Sequence, residues 1–190
     1  MSQATTSTPP WQLVPLDRVT ATPWRNGGGV TRELLAWPTP ADWQVRLSIA
    51  EVAADGPFSA FAQIERWFAV LEGAGVALSL DGTTHLLDTA SAPLRFDGGT
   101  PVDCRLRDGP TLDFNLMAPP GRARMLRIRE GLHVAVGADT LVAAYAHADP
   151  VTLPGLPGEL PARTLAWRVS PGPWSGHVQA REMLWMEVAA

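Results

Sequence analysis

The sequence predicts an all-β protein, in which many short strands form a sandwich or a barrel. Apolar residues recur at every second position in short segments such as 43–50 and 112–117, which is typical of strands that place one face in a core. Asp-Gly turn dipeptides occur at 81–82 and 108–109, and turn signals recur about every 8 to 12 residues, as in β-sandwiches and barrels. No segment shows the periodicity of a long amphipathic helix.

Each predicted strand is a run of alternating or continuous apolar residues that ends at a turn. Those in the first part of the chain are 43–50, 67–71, 76–80, 83–87, 102–107 and 112–117. Those in the second part are 125–129, 132–136, 141–146, 165–169 and 184–188. The segment 118–121, Ala-Pro-Pro-Gly, interrupts the pattern and is the predicted linker. We therefore expect a disordered tail 1–10, an N-terminal half 11–120 and a C-terminal half 121–190.

The composition is that of a globular protein, and it excludes several classes of function. Of the 190 residues, 46% are hydrophobic and 18% are charged, which is well short of a disordered composition. The formal net charge is −4, whereas nucleic-acid-binding proteins are usually basic, so we expect no nucleic-acid partner. All 15 basic residues are arginines, which removes lysine chemistry and leaves arginine as the cation for an anionic ligand.

The sequence predicts a cytoplasmic protein. No apolar run approaches the ~18 residues of a membrane span, so no membrane association is expected. The segment 1–10 has neither basic residues nor an apolar stretch and does not resemble a secretory signal. The single cysteine, Cys104, allows no internal disulfide and alternates with apolar residues, which indicates a core position in a protein of a reducing compartment.

The most unusual segment is 24–33, Trp-Arg-Asn-Gly-Gly-Gly-Val-Thr-Arg-Glu. Three successive glycines cost backbone entropy and are useful where the chain needs a positive φ, or where a ligand approaches the backbone closely. The N–H groups of Gly27–Gly29, flanked by Arg25 and Arg32, would suit a carboxylate or a phosphate. A tight turn with solvated arginines explains the same residues, and the sequence does not decide between the two interpretations.

A second polar group is predicted on one strand face. Asp113 and Asn115 project opposite the apolar residues of segment 112–117. Both residue types are poor strand formers, which favours a specific hydrogen-bonding role over a solvated face. Arg46 and Ser48 share a strand face in the same way. An arginine that binds a carboxylate through two hydrogen bonds contributes about 1.5–3 kcal/mol, so several such contacts would have to converge on one ligand.

The sequence contains no motif for a metal site or an activated nucleophile. The four histidines are widely separated: His85, His133, His147 and His177. Each is interpreted as a surface or core residue, although distant residues can still converge in a barrel. Trp24 precedes the glycine run and Trp174 lies in a Pro/Gly-rich loop, and both are candidates to wall a pocket.

Several blocks of the sequence, taken together, resemble the HutD/Ves family. The segment 23–33 resembles the family's opening signature, and 43–50 resembles its first long strand. Further blocks match in register: 55–61, 64–66, 70–73 and 113–117. The C-terminal half matches only in general character. Ala62-Gln63 stands where the family more usually has Pro-Gly.

The resemblance implies a cupin-type (RmlC-like) β-barrel or jelly roll, with two cupin-like halves in one chain, which is a bicupin. It also implies a bacterial protein of histidine utilisation, or of a stress-associated branch, with a regulatory, ligand-binding role. Cupins commonly hold a metal through His and Glu motifs. Those motifs are missing from this sequence, so we expect no metal and no cofactor.

The blocks that resemble the family also predict a ligand-binding pocket. Its predicted residues are Trp24, Arg25, Asn26, Gly27, Gly28, Thr31, Arg32, Arg46, Ser48, Phe58, Ser59, Arg66, Asp113 and Asn115. The expected ligand is a small anionic metabolite such as urocanate or formylglutamate, with its carboxylate on Arg46 or Arg66. One alternative is a metal-free isomerase or hydrolase with Asp113 as general base. Another is a protein-interaction module, and a homodimer is compatible with each of these.

Overall fold

The structure is a computed structural model that describes residues 9–189. These residues form β-strands and one short 3-10 turn, Leu16–Arg18, and contain no α-helix, so the all-β prediction is confirmed. Residues 9–189 contain no helix that is long and apolar enough to cross a membrane. Apart from residues 9 and 10, the predicted tail lies outside the described residues. The strands are β1 (Gln12–Pro15), β2 (Thr22–Pro23), β3 (Gly29–Thr39), β4 (Asp42–Val52), β5 (Gly56–Pro57), β6 (Glu65–Glu72), β7 (Val76–Leu80), β8 (Thr83–Leu87), β9 (Leu94–Asp97), β10 (Asp103–Leu106), β11 (Thr111–Ala118), β12 (Ala123–Ile128), β13 (Leu132–Val136), β14 (Thr140–Ala146), β15 (Val151–Thr152), β16 (Glu159–Leu160), β17 (Thr164–Ser170), β18 (Trp174–Val178) and β19 (Met183–Ala189).

The chain folds as two compact units. The first unit is Arg18–Ala123, and the described residues of the second unit are 9–17 and 124–189. The predicted division after residue 120 stays a prediction. However, the sequence places β1 in the N-terminal half, whereas β1 pairs with β17 of the second unit. A pairing between segments so far apart in sequence cannot be read from local periodicity.

The first unit consists of two antiparallel sheets that share one core. The larger sheet has the strand order β2-β3-β4-β11-β6-β9, and the smaller has the order β5-β10-β7-β8. Side chains of both sheets meet in the core, among them Phe68 and Val70 from the larger sheet and Leu78 from the smaller. Cys104 lies in the same core, as the sequence predicts.

The central strands of the larger sheet are buried on both faces. The sequence predicts a half-buried β4, yet Leu47 and Ser48, which point to opposite faces, are 0% and 4% exposed. Every residue of β11 is buried. Ser48 of β4 and Asp113 and Asn115 of β11 therefore lie inside the first unit, on the face that also carries the core residues Ala50 and Phe68.

The second unit is built on a five-stranded sheet of order β1-β17-β14-β19-β12, with the pairs β13-β18 and β15-β16 beside it. Its core includes Trp11, Val142, Ala166 and Trp185. Trp174, expected in a Pro/Gly-rich loop, instead begins β18, which pairs with β13.

Candidate functional site

A cavity of about 720 Å³ lies in the first unit, against the inner face of the larger sheet. Residues that lie directly opposite each other on neighbouring strands share a face of the sheet. Asn115 of β11 lies opposite Ser48 of β4 and Phe68 of β6. Two residues along, the next row brings Arg46 and Arg66 to either side of β11. The strand register therefore gathers on one face polar residues from three separate parts of the sequence.

Arg66 is a buried cation at this cavity. It is 5% exposed. Its Nη2 donates a hydrogen bond to Oδ1 of Asn115 at 2.8 Å, and its Nη1 donates to the carbonyl oxygen of Ser59 at 3.2 Å. Its Cζ lies 5.2 Å from the ring centres of both Phe58 and Phe96. The ring centre of Phe61 lies 5.8 Å away, so two acceptors and three aromatic rings hold the guanidinium in a defined orientation.

The charge of Arg66 has no counter-ion in the part of the chain that the structure describes, since no carboxylate there lies within ion-pair distance of it. Its Nε is buried and has no hydrogen-bond partner in residues 9–189. Burial, and to a smaller extent the charge of Arg46, lower the pKa of Arg66 to about 10, so it stays protonated at neutral pH. A buried cation without a partner is costly, and an anion in the cavity would remove that cost.

Arg46 differs from Arg66 because it already has an acidic partner. Its Nε donates to Oε2 of Glu33 at 2.6 Å, and its side chain is 23% exposed. Its Cζ also lies 6.0 Å from the ring centre of Trp43. The sequence left Arg46 and Arg66 as alternatives for binding a carboxylate, and the geometry favours Arg66.

The glycine run forms the turn between β2 and β3. Gly27 has a φ of +71°, in the region that favours glycine, and its N–H donates to the carbonyl oxygen three residues earlier. The N–H of Gly28 donates to the side-chain oxygen of Asn26 at 3.1 Å. A Cβ on Gly29 would collide with the carbonyl oxygen of Glu51. Turn geometry and a close strand approach therefore explain Gly27 and Gly29, and the N–H groups of Gly27 and Gly28 bond within the turn.

Asp113 is a fully buried acid of β11. It lies opposite Ala50 and Val70, is 0% exposed, and accepts a hydrogen bond from Oγ1 of Thr111 on its Oδ2 at 2.7 Å. Its Oδ1 is buried without a hydrogen-bond partner in residues 9–189. Burial raises the pKa of Asp113 to about 7, although the Thr111 hydrogen bond acts in the opposite direction. Asp113 is therefore partly protonated at neutral pH.

Most of the predicted ligand-binding residues line the cavity. They are Trp24, Arg25, Asn26, Thr31, Arg46, Ser48, Phe58, Ser59, Arg66 and Asn115. Gly27, Gly28, Arg32 and Asp113 are not among the lining residues. The two glycines form part of the turn between β2 and β3. Arg32 is next to the lining residue Thr31 on β3 and so points to the opposite face. Asp113 is fully buried on β11. That any of these residues binds a ligand stays a prediction.

Sequence reasoning missed several lining residues, which are Thr22, Pro23, Glu33, Ala50, Val52, Pro57, Phe61, Phe68 and Met117. Alternation could have found Met117, since it lies two residues beyond Asn115 on the same strand. The charged lining residues are Arg25, Arg46, Arg66 and Glu33. This positive excess occurs in a chain whose net charge is −4, and it favours an anionic ligand.

The cupin resemblance raises the question of a metal, and the described residues do not fit one. Within residues 9–189, no group of three or more His, Cys, Asp or Glu side chains could hold a metal ion. His133 and His177 lie opposite each other on β13 and β18, whereas His85 lies on β8. Two imidazoles alone are fewer protein ligands than a metal centre normally uses.

Known proteins resemble this chain in sequence. The HutD family model matches residues 17–185. Protein Ves of Cronobacter sakazakii is 39% identical over 102 residues, which cover 53% of this chain and 56% of that protein. An uncharacterized 21.2 kDa protein in the hutC 3' region of Pseudomonas putida is 38% identical over 106 residues, which cover 54% and 55%. The chain thus spans about half the length of the curated relatives it matches.

Solved structures resemble the chain over nearly its whole length. HutD from Pseudomonas fluorescens SBW25 has a TM-score of 0.85 and 30% identity, and the match covers 94% of this chain and 98% of that one. A bacterial pirin from Escherichia coli, solved in complex with nickel(II), has a TM-score of 0.67 at 11% identity and covers 94% and 99%. At that identity the likeness shows the fold alone, which is all-β and cupin-like. Because the family model spans most of the sequence, this chain belongs to the HutD family.

Proposed function

We propose that this chain binds a small anionic metabolite and has a regulatory role in histidine utilisation or a related amino-acid catabolic pathway. The observation that carries the proposal is Arg66, a buried cation at a cavity with no carboxylate partner in residues 9–189. Membership of the HutD family and the relative in the hutC 3' region support the metabolic context.

The lining of the cavity supports a ligand with one carboxylate and a partly apolar body. Its volume of about 720 Å³ falls within the roughly 300–1,000 Å³ of small-molecule sites. Arg66 would bind the carboxylate, while Asn26 and Ser48 offer further polar contacts. Phe61 and Phe68 supply apolar walls. Urocanate has this combination of groups, and formylglutamate, which has two carboxylates, belongs to the same proposed class of small anions.

The finer architecture belongs to the same proposal. We infer that each unit is one cupin-like half of a bicupin, with the first unit closed as a jelly-roll barrel. The two sheets with a shared core in the first unit support this, as do the cupin-like structural neighbours. A cytoplasmic location and a homodimer complete the proposal.

A metal-free isomerase or hydrolase with Asp113 as general base is the second candidate. The pKa of Asp113, raised to about 7 by burial, favours it, because a general base works best when its pKa lies near the working pH. A base must also reach its substrate, and Asp113 is 0% exposed and is not a lining residue. Binding without turnover is therefore the better-supported function. Mass spectrometry of urocanate or formylglutamate incubated with the protein tests the enzyme. Product that forms with the unaltered protein and not with Asp113→Asn would show that the protein is an enzyme and would contradict binding without turnover.

Isothermal titration calorimetry tests the binding proposal. The probes are urocanate and formylglutamate, and the uncharged methyl ester of urocanate is the matched control ligand. We expect saturable binding of at least one acid and binding of the ester at least tenfold weaker, because the ester cannot pair with Arg66. If neither acid binds, or if the ester binds as tightly as urocanate, the proposal is wrong.

A pair of variants assigns the binding to Arg66. We expect Arg66→Gln to weaken binding of the acid by a factor of about 10 to 100. Arg32→Gln is the control, because Arg32 lies in the family-like block 23–33 but does not line the cavity, and it should keep the affinity of the unaltered protein. If Arg66→Gln fails to fold, the comparison of acid and ester on the unaltered protein still decides the question.

A further inference from the structure

We propose a second oxyanion site, located in the second unit and formed by the guanidinium of Arg168 and the indole N–H of Trp174. Its residues are different from those that line the cavity of the first unit. It would take the carboxylate or phosphate group of a small ligand. This inference goes beyond the proposed function and does not depend on it.

Arg168 of β17 packs against two indole rings. Its Cζ lies 4.2 Å from the ring centre of Trp11 and 4.6 Å from that of Trp174. Both indoles pack edge-on against Trp185, with ring centres 6.5 and 6.3 Å from it. Arg168 as a whole is 5% exposed. The N–H groups of a guanidinium lie in its own plane, so packing against ring faces leaves them without an oxygen acceptor.

These donors have no acceptor in residues 9–189. The Nε of Arg168 is buried without a hydrogen-bond partner. No side-chain hydrogen bond or ion pair of Arg168 occurs in the described part of the chain. Burial lowers the pKa of Arg168, but a guanidinium stays protonated in proteins. The aromatic faces stabilise the positive charge, but they do not provide an oxygen acceptor for the N–H groups of Arg168. These buried donors would be satisfied by an acceptor on a ligand.

The indole of Trp174, which packs against Arg168, provides a second N–H donor without a partner in residues 9–189. The Nε1 of Trp174 is buried without a hydrogen-bond partner in residues 9–189. The Nε1 of Trp11, by contrast, donates to the carbonyl oxygen of Pro154 at 3.0 Å. The indole N–H of Trp11 is therefore hydrogen-bonded, whereas that of Trp174 is not. Both indoles lie beside the unpaired guanidinium of Arg168. An oxyanion, which has several lone pairs and a negative charge, is the chemical group that satisfies both donors.

The loop that follows β15 lies close to the Nη end of the guanidinium. A Cβ on Gly155 would lie 3.4 Å from Nη1 of Arg168, so glycine keeps side-chain atoms away from this nitrogen. Of the guanidinium nitrogens, Nε is sealed from solvent, whereas the two Nη atoms are not. A ligand would therefore approach the Nη edge of Arg168. With one charged contact, we expect a dissociation constant on the order of millimolar.

Nitrogen-15 NMR of the full chain tests the proposal, because each of the two donors gives its own N–H signal. The probes are acetate and inorganic phosphate, and sodium chloride at equal ionic strength is the control titration. We expect the Arg168 Nε–H and Trp174 indole N–H signals to shift together and to saturate with acetate, phosphate or both. The responding probe identifies the class of oxyanion. If neither oxyanion gives a saturable shift, or if chloride gives the same shift, the proposal is wrong.

Matched variants separate this site from the cavity of the first unit. Trp174→Phe keeps an aromatic ring over Arg168 and removes only the indole N–H, so we expect binding about fivefold weaker. In Arg66→Gln the shift of the Arg168 signal should be unchanged, whatever the fate of metabolite binding. Unchanged affinity in Trp174→Phe would contradict the proposed role of the indole. If that variant does not fold, the titration of the unaltered protein still decides whether the site exists.

Discussion

The interiors of the two units each hold a buried arginine, in different surroundings. Arg66, in the first unit, donates to Asn115 and to the Ser59 carbonyl, and it lies at a cavity of about 720 Å³. Arg168, in the second unit, packs against two indoles and has no acceptor in residues 9–189. The comparison teaches that aromatic rings keep a guanidinium buried, whereas acceptors decide which of its donors are left for a ligand.

The units also differ in their buried acids. The buried acids of the described residues, Glu65 and Asp113, both lie in the first unit. Glu65 accepts hydrogen bonds from Trp67 and Gly121 and pairs with Arg95. Asp113 has only its contact with Thr111 and an unpartnered Oδ1 in the described chain. The titration of Asp113 is therefore expected to affect the first unit, and the described residues of the second unit include no equivalent buried acid.

The largest expected effect is on the pH dependence of stability. The pKa of Asp113 is about 7 in the folded chain, against an ordinary value of 3.8. Between these values the unfolded chain releases the proton and the folded chain keeps it, so the unfolding free energy falls as pH rises, by about 4 kcal/mol in total. We expect Asp113→Asn to lack this fall. Urea unfolding across this pH range measures it.

The control for this measurement is Asp42→Asn, which makes the same change of net charge at an exposed position. The stability of Asp113→Asn relative to the unaltered protein should increase steadily from pH 4 to pH 7. Parallel pH profiles of Asp113→Asn and the unaltered protein would show that Asp113 does not titrate in this window.

The second prediction compares the two arginines directly. Arg66→Met removes two hydrogen bonds and leaves Oδ1 of Asn115 without its donor. Arg168→Met breaks no hydrogen bond and removes a costly buried charge. We expect Arg66→Met to be the less stable variant by about 1–2 kcal/mol. Urea unfolding in buffer free of carboxylates and phosphate measures the difference in unfolding free energy. If Arg168→Met is the less stable variant, the contrast between the two arginines is wrong.

Local alternation in the sequence predicted eleven of the nineteen strands in residues 9–189 and the polar face of β11, but not what covers each face. In segment 165–169, Arg168 alternates with the apolar residues 165, 167 and 169, a pattern that predicts a solvent-exposed side chain. In the structure Arg168 is buried, on the same strand face as the core residue Ala166. The cavity depends on the register of β3, β4, β11 and β6, which is set by long-range pairing. The segment of β3 was missed because its pattern starts in the glycine run and shifts register near Leu34.

The site was predicted best where the family-like blocks added to the pattern. Asn115 and Ser48 follow from alternation, and both line the cavity. Arg32 does not, because the blocks name segments and not the direction of each side chain. Glu33 was missed, although its ion pair with Arg46 decides which arginine is left for a ligand. Such a pairing becomes visible only when two strands are brought side by side.

The third prediction concerns Arg46, the paired arginine of the cavity. Glu33 already offsets its charge, and its side chain is partly exposed, so a ligand gains less from it than from Arg66. We expect Arg46→Ala to weaken binding of urocanate or formylglutamate by less than about tenfold. Isothermal titration calorimetry beside Arg66→Gln gives the ranking. A larger loss in Arg46→Ala would move the carboxylate from Arg66 to Arg46.

The smallest expected effect is on backbone strain, and it can be measured once in each unit. Gln63 in the first unit and Arg163 in the second have φ values of +63° and +55°, in the left-handed region. Gln63 carries a side chain in a conformation that glycine adopts without strain. We expect Gln63→Gly to raise the unfolding free energy by about 0.5–1 kcal/mol.

Alanine at the same position is the control for Gln63→Gly, because it removes the side chain and leaves the strain. Gln63→Ala should therefore give no gain in thermal or urea unfolding. Arg163→Gly makes the same change in the second unit, and we expect a gain no larger than that of Gln63→Gly, since Arg163 takes part in a further interaction. Equal gains for glycine and alanine at Gln63 would mean that the side chain, and not the left-handed backbone, is the source of the cost.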